Sequence, residues 1–224
     1  SSDLFTAGTG NAITLTKTAN DFSTVTIVSG KNVAITDTNA VVLGTSTVSG
    51  TLAVSTGGAI TQSGAATVTK GATFAAGTGN AITLTKANDF STVVITSGKN
   101  VSITDSNALD LGASTVSGTL AVSTAGAITQ SGAATVAKGA TFAAGAGNAI
   151  TLTKTANDFS TVSITSGKNV SITDTNALVL GASTVSGTLA VSTGGAITQS
   201  GAATVTKGAT FAAGAGNAIT LTKV

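Results

Sequence analysis

Apolar and polar residues alternate in short runs along the whole chain, and glycine or asparagine separates one run from the next. In Thr161–Ser183, Val162 and Ile164 fall on one side of an extended backbone, with Thr161, Ser163 and Thr165 on the other. A side-chain period of two predicts strands with one apolar face and one hydroxyl-rich face. The same alternation turns Val170 and Ile172, Leu189 and Val191, and Phe211 and Ala213 inward in a second kind of segment. In a third kind it turns Leu178 and Leu180, Ile197, and Ile219 and Leu221 inward. Apolar residues do not recur at helical spacing, and Thr, Val, Gly and Asn are poor helix formers.

The segments repeat at long range. The heptapeptide NAITLTK occurs unchanged at Asn11–Lys17, Asn80–Lys86, Asn148–Lys154 and Asn217–Lys223, at separations of 69, 68 and 69 residues. Within each long unit the dipeptide Thr-Val recurs three times, as at Thr161-Val162, Thr184-Val185 and Thr204-Val205, which divides the unit into three coils of about 23 residues. The expectation is an all-β protein, a right-handed parallel β-helix (a solenoid) with three strands per coil and about ten coils. Residues 1–224 form one repeat domain, with super-repeats at 5–73, 74–141 and 142–210 and a partial fourth at 211–224. An antiparallel sandwich would suit the strand lengths but not the strict period. At about 4.8 Å per coil the rod is roughly 45–50 Å long, and inward side chains stack in ladders.

An Asn or Gly followed by Ala precedes every third segment, as at Asn176, Gly195 and Asn217. Both residue types tolerate a left-handed backbone, so these positions are expected to be left-handed corners, with stacked Asn side chains bonding one another along the rod.

Composition narrows the function. Only 8% of residues are charged, and there is no Cys, His, Arg, Glu, Trp, Tyr, Met or Pro. Disulfides and thiolate metal sites are thereby excluded. The net charge of +2 comes from Lys and Asp spread along the chain, which is no nucleic-acid footprint. No apolar run approaches a membrane span, so no membrane insertion is expected. The sequence has no signal peptide and starts and ends in the same coil type, which suggests a segment excised or processed from something longer.

Candidate chemistry is sparse. Asp21, Asp89 and Asp158 recur in NDF tails, and Asp37, Asp105 and Asp174 in TD turns. Paired carboxylates can hydrolyse glycosides, but an active site is built once, and these are copied in every unit without His, Arg or an aromatic platform. They read as turn residues capping backbone amides. Calcium β-rolls need dense GGxGxD nonapeptides, which are absent. Lysines recur at Lys31/Lys99/Lys168, Lys70/Lys138/Lys207 and Lys17/Lys86/Lys154/Lys223, at turns and strand ends, as solvated charges that discourage aggregation. Phe22, Phe90 and Phe159, with Phe5, Phe74, Phe142 and Phe211, read as core fillers. Asp110 stands where Val42 and Val179 stand in the other units. The nine Thr of the Thr-Val dipeptides are expected to line one outward face, from Thr24 to Thr204, which raises an ice-binding or polysaccharide-binding alternative. The positions two residues on, such as Thr26, Val94 and Ala137, are too irregular for a flat ladder.

The motifs NDFSTVSITSGKNVSITDTNAL, LGASTVSG-TLAVST and GGAITQSGAATV resemble the repeat regions of filamentous-haemagglutinin-like exoproteins and giant autotransporter adhesins of bacteria. The resemblance covers essentially the whole chain. It implies export across a Gram-negative envelope, a right-handed β-helix, and a role as surface stalk or matrix fibre. It brings no receptor-binding module, so no catalytic, cofactor or metal residue is assigned and no cofactor is expected. The expectation is a non-enzymatic extracellular rod, secreted to the bacterial surface. Its partners are further copies of itself, through end-to-end strand stacking or within a longer array, and a host or matrix surface.

Overall fold

The computed structural model describes residues 2–222, and among these there is no helix. The chain is an all-β parallel solenoid, as the alternation and the long period predict. Two broad sheets face each other, and the chain visits them in turn. Sheet one begins with Asp3–Thr6, Thr24–Ser29 and Val41–Leu43, and sheet two with Ile13–Leu15, Val33–Asp37 and Thr51–Thr56. Every strand pairing is parallel to the strand one turn before and one turn after, as in Ile13↔Val33 and Val33↔Leu52.

Those pairings also set the length of a turn. Ile13, Val33, Leu52 and Ala72 stack in one column, so a turn takes about 20 residues rather than the expected 23 or so. Sheet two has 11 strands, so the rod has eleven turns where about ten were expected, with a height of about 50 Å. A third strand per turn is a narrow strip and is present only in parts of the rod, as at Ser46–Val48 and Ala66–Val68.

A repeat of 69 residues at about 20 per turn advances about three and a half turns, not three. Each super-repeat is therefore laid down half a turn out of phase with the one before. Thr51–Thr56 lies in sheet two, its copy Thr119–Thr124 in sheet one, and Thr188–Thr193 in sheet two again. The narrow strip follows the same rule. Ser46–Val48 links sheet one to sheet two, whereas Ser114–Val116 links sheet two to sheet one, on the opposite edge.

The core fills the space between the sheets. Val162, Ile164, Val170, Ile172, Leu178, Leu180, Leu189, Val191 and Ile197 are all buried, as the alternation predicts. The aromatic residues act as fillers: Phe74, Phe90, Phe142 and Phe159 are fully buried, and the pairs Phe74–Phe90 and Phe142–Phe159 meet edge to face at 6.0 and 6.1 Å. Four residues expected inside are not enclosed. Phe211 and Ala213 are half-buried and Ile219 and Leu221 exposed, because they lie in the last of the described turns.

The Asn corners differ from expectation. Among the described residues only glycines have positive φ: Gly8, Gly77, Gly145 and Gly216. Asn80 and Asn148 instead donate their side-chain amides to Ala76 and Ala144 carbonyls within the turn (2.8 Å each), and to Gly57 and Ala125 carbonyls one turn earlier. Glycine stands at the corresponding Gly126 and Gly195 for want of room. A Cβ there would lie 2.6 Å from the backbone nitrogen of Ala108 or Ala177.

Candidate functional site

The recurrent carboxylates are the only acidic side chains placed in any regular arrangement. Asp105 ends the strand Val101–Asp105, and the chain turns immediately after it. One carboxylate oxygen, Oδ2, accepts the Phe90 backbone N–H at 2.7 Å from the turn before, and Oδ1 accepts the Asn107 N–H at 3.0 Å. The Asn107 side-chain amide then donates to Oδ1 of Asp89 at 2.6 Å. Asp174 makes the same set with Phe159, Asn176 and Asp158, and Asp37 with Phe22, Asn39 and Asp21. The Asn side chains thus bond Asp across turns, not one another.

The buried carboxylate of each corner is engaged on both oxygens by backbone amides. Asp37, Asp105 and Asp174 are 2–3% exposed, with both oxygens aimed at backbone amides. Burial raises the pKa of Asp105 and Asp174, the two amide hydrogen bonds oppose the shift, and the neighbouring Asp89 or Asp158 adds to it. Asp21, Asp89 and Asp158 accept the Asn amides in these corners. Asp110 sits half-buried on a broad face and accepts from the hydroxyls of Thr129, at 3.2 Å, and Ser131. Among the described residues no three His, Cys, Asp or Glu side chains gather as a metal site.

The strand alternation did not single out the most deeply buried polar side chains. Asn88 and Asn157 are 0% exposed. Asn88 exchanges two hydrogen bonds with Gln62, accepts the Ala66 N–H at 2.9 Å, and donates to the Leu84 and Thr104 carbonyls. Asn157 repeats this with Gln130 and Ala134. The available sign was a Gln and an Asn recurring once per super-repeat, with Gln62 of the first unit 26 residues before Asn88 of the second. These networks close completely: among the described residues no buried side-chain nitrogen or oxygen lacks a partner.

The surface is as repetitive as the core. Shallow troughs of 240–320 Å³ recur beside Ala53, Ala121 and Ala190, lined by Thr, Ser, Ala and one Ile and one Val each, with no charged or aromatic residue. The half-turn phase puts the middle one on sheet one and the others on sheet two. The described lysines lie at turns and strand ends except Lys86, which falls in the middle of the strand Ile82–Phe90, and all but the half-buried Lys154 are exposed; Lys223 lies outside the described residues.

The nine Thr of the Thr-Val dipeptides do not share a face. Thr24 and Thr161 lie on sheet one and Thr92 on sheet two; Thr47 and Thr67, Thr115 and Thr135, and Thr184 and Thr204 pair within separate edge strips. On the first two strips the next position is Asp89 or Asp158, which ends the Thr column. The expected continuous outward ladder does not exist, because the dipeptide marks three different places around the turn.

Across its whole length the chain matches the family described as "Repeats of unknown function (DUF5649)", as four successive repeats at residues 1–29, 30–97, 98–166 and 167–224. It belongs to that family. The family boundaries fall at Gly30, Gly98 and Gly167, where the backbone of each unit bridges or pairs to Val48, Val116 and Val185 one turn on. No curated protein and no solved structure matches the chain.

Proposed function

We propose that this chain is a non-enzymatic structural rod segment, exported to the bacterial surface or beyond as the shaft of an adhesin or matrix fibre. The observation that carries this reading is the corner at Asp105. The sequence reads its Asp as a turn cap, and both oxygens of the buried carboxylate are engaged by backbone amides in an arrangement that recurs in each unit. Polar chemistry in this molecule joins one turn to the next. The resemblance of the repeats to secreted adhesins supports export, and the Thr, Ser and Ala exterior with lysines at the edges suits a long soluble shaft.

The mechanism is mechanical. Backbone hydrogen bonds run along the rod axis, so tension loads many in parallel at each turn. The partners are further copies joined end to end and, at the far end of the shaft, a host or matrix surface. Negative-stain electron microscopy with light scattering over a concentration series tests the joining, with single-rod-wide fibres expected and short monomeric rods at all concentrations overturning it. Protease treatment of intact producing cells tests the location: rapid cleavage is expected, and full protection until lysis rules out surface display.

A further inference from the structure

We infer that copies of this chain pack side by side, parallel and level, with the ridges of each rod seated in the troughs of its neighbour. The contact is lateral and does not rest on end-to-end joining.

Ridges and troughs arise from the unequal sides of a turn. The six-residue strand Thr51–Thr56 follows two three-residue strands, Val41–Leu43 and Ser46–Val48. Closing the turn puts the bend between the short strands, at Thr45, opposite the long one. The next turn bends at the same place, since a Cβ on Gly64 would meet the Thr45 backbone. Leu109–Leu111, Ser114–Val116 and Thr119–Thr124 repeat the pattern, with Gly132 against Ala113. In the third copy Leu178–Val185 spans both short runs ahead of Thr188–Thr193, with Gly201 against Ala182. Each stacked pair of bends is a blunt ridge of small residues, and Thr45, Ala113 and Ala182 are exposed.

The troughs lie on the long strands, with volumes of 290 Å³ beside Ala53, 320 Å³ beside Ala121 and 240 Å³ beside Ala190. Trough and ridge therefore occupy opposite sides of the same turns. The half-turn phase then reverses them. At Ala53 the trough is on sheet two and the ridge on the sheet-one side; at Ala121 they change places, and at Ala190 they change back. A second rod, moved sideways without sliding or turning, offers a trough wherever the first offers a ridge. The Thr45 ridge of the first rod enters the trough beside Ala53 of the second. The Ala113 ridge of the second enters the trough beside Ala121 of the first, and the Ala182 ridge of the first enters the trough beside Ala190 of the second. Locks in alternating directions fix the level, because a slide of about three and a half turns sets ridge against ridge. Ala53 and Ala190 lie on the third and tenth strands of sheet two, so the pattern renews itself every seven turns wherever the segment stands in a longer array.

The chemistry suits a second copy. The trough linings hold no charged or aromatic residue, and the ridges are Thr, Ser, Ala and Gly, so the two surfaces approach closely without desolvating a charge. Asp110 stands beside the middle ridge, where it accepts the Ser131 hydroxyl, and it faces a trough whose Ser and Thr hydroxyls suit a carboxylate. A face about 50 Å tall and about 20 Å wide offers roughly 1,000 Å² per copy, against the roughly 800 Å² per partner of a stable interface. An inverted neighbour is the competing geometry. It would set sheet one on sheet one and bring Thr45 to Ala121.

Paired cysteines read the neighbour directly, since the chain has none of its own. Thr45 and Ala53 are exposed on opposite sides of one rod, so a disulfide between them has to join two copies. Under mild oxidation, full-length T45C/A53C should form a ladder of covalent oligomers on a denaturing gel at least about tenfold faster than T45C/A121C. Equal or faster cross-linking of T45C/A121C overturns the parallel arrangement, and no ladder from either variant overturns lateral packing altogether. As a second readout, A53K/A121K/A190K fills all three troughs at exposed strand positions, with circular dichroism checking that the fold is kept. Negative-stain electron microscopy should show layers of several rods for the unaltered chain and single-rod width for the triple variant. Layers of undiminished width overturn the inference. Fibre length is scored separately from width, so a failure of end-to-end joining leaves the lateral result readable.

Discussion

Ile82 and Leu84 are fully buried, whereas Ile219 and Leu221 are 44% and 38% exposed, although both pairs belong to the same heptapeptide, NAITLTK, on the same sheet. The local sequence is the same, but the second copy continues as the strand Ile82–Phe90 while the fourth is the short strand Ile219–Thr220. The turn above differs as well. The second copy lies between Ile60 on one side and Val101 on the other; the fourth has Ile197 below, and among the described residues no strand pairs above it. In a solenoid the core is made between turns, so a turn's stability belongs largely to its neighbours.

The largest expected effect follows from that difference. Ile82→Ala empties space enclosed on both sides and should cost about 2–5 kcal/mol, whereas Ile219→Ala should cost under about 1 kcal/mol. Denaturant titration of both variants followed by circular dichroism checks this, with hydrogen exchange locating the loss. Equal costs would sink the claim that burial comes from the turn above.

Buried polar networks sharpen the same contrast. Replacing Asn88 by Leu keeps the branched shape, at a somewhat larger volume, but removes the hydrogen bonds that the amide makes with Gln62, Ala66, Leu84 and Thr104. A loss of about 2–3 kcal/mol is expected. Asn20, its counterpart in the first of the described turns, is half-buried and donates to the Leu15 and Thr36 carbonyls, so Asn20→Leu should lose about half as much or less. A cost at position 20 matching that at position 88 would contradict the ordering.

Space between turns comes next. A Cβ on Gly126 meets the Ala108 backbone at 2.6 Å, while one on Gly79 meets nothing within 4 Å. Gly126→Ala should therefore cost about 1–3 kcal/mol and Gly79→Ala close to nothing, read from the same titrations.

These particulars show what the sequence discloses. Inward residues such as Val162 and Leu178 were readable because a strand allows only two faces. The number of residues in a turn was not, because Thr-Val fits any place that wants Thr outward and Val inward: sheet one at Thr24, sheet two at Thr92, a narrow strip at Thr47. An error of about three residues per turn hid the half-turn phase, and with it the partners of every side chain that bonds across turns. Asp105 was recognisable as a turn cap, since Asp followed by a polar turn is a local signal. The bond from Gln62 to Asn88 was not, because it depends on which residues the turn length stacks.

The smallest effect concerns pH. Asp105 and Asp174 have raised folded pKa values, chiefly through burial, against an ordinary value of 3.8. Below that value folded and unfolded chains are both protonated at these sites. As pH rises past it, the unfolded chain gives up the protons first while the folded corner still holds them, so unfolding is increasingly favoured until the folded carboxyls ionise too. Stability from these two groups is thus fully present below pH 3.8, falls through a window opening there and closing at the raised folded value, and is level beyond it. Denaturant midpoints from pH 3 upward should show that decline. Asp89→Asn removes the like charge that contributes to the Asp105 shift but keeps an oxygen to accept the Asn107 amide, so it should narrow the window without loosening the corner. A midpoint that climbs through the window would mean that the two backbone amides on Asp105, rather than its burial, control the carboxyl.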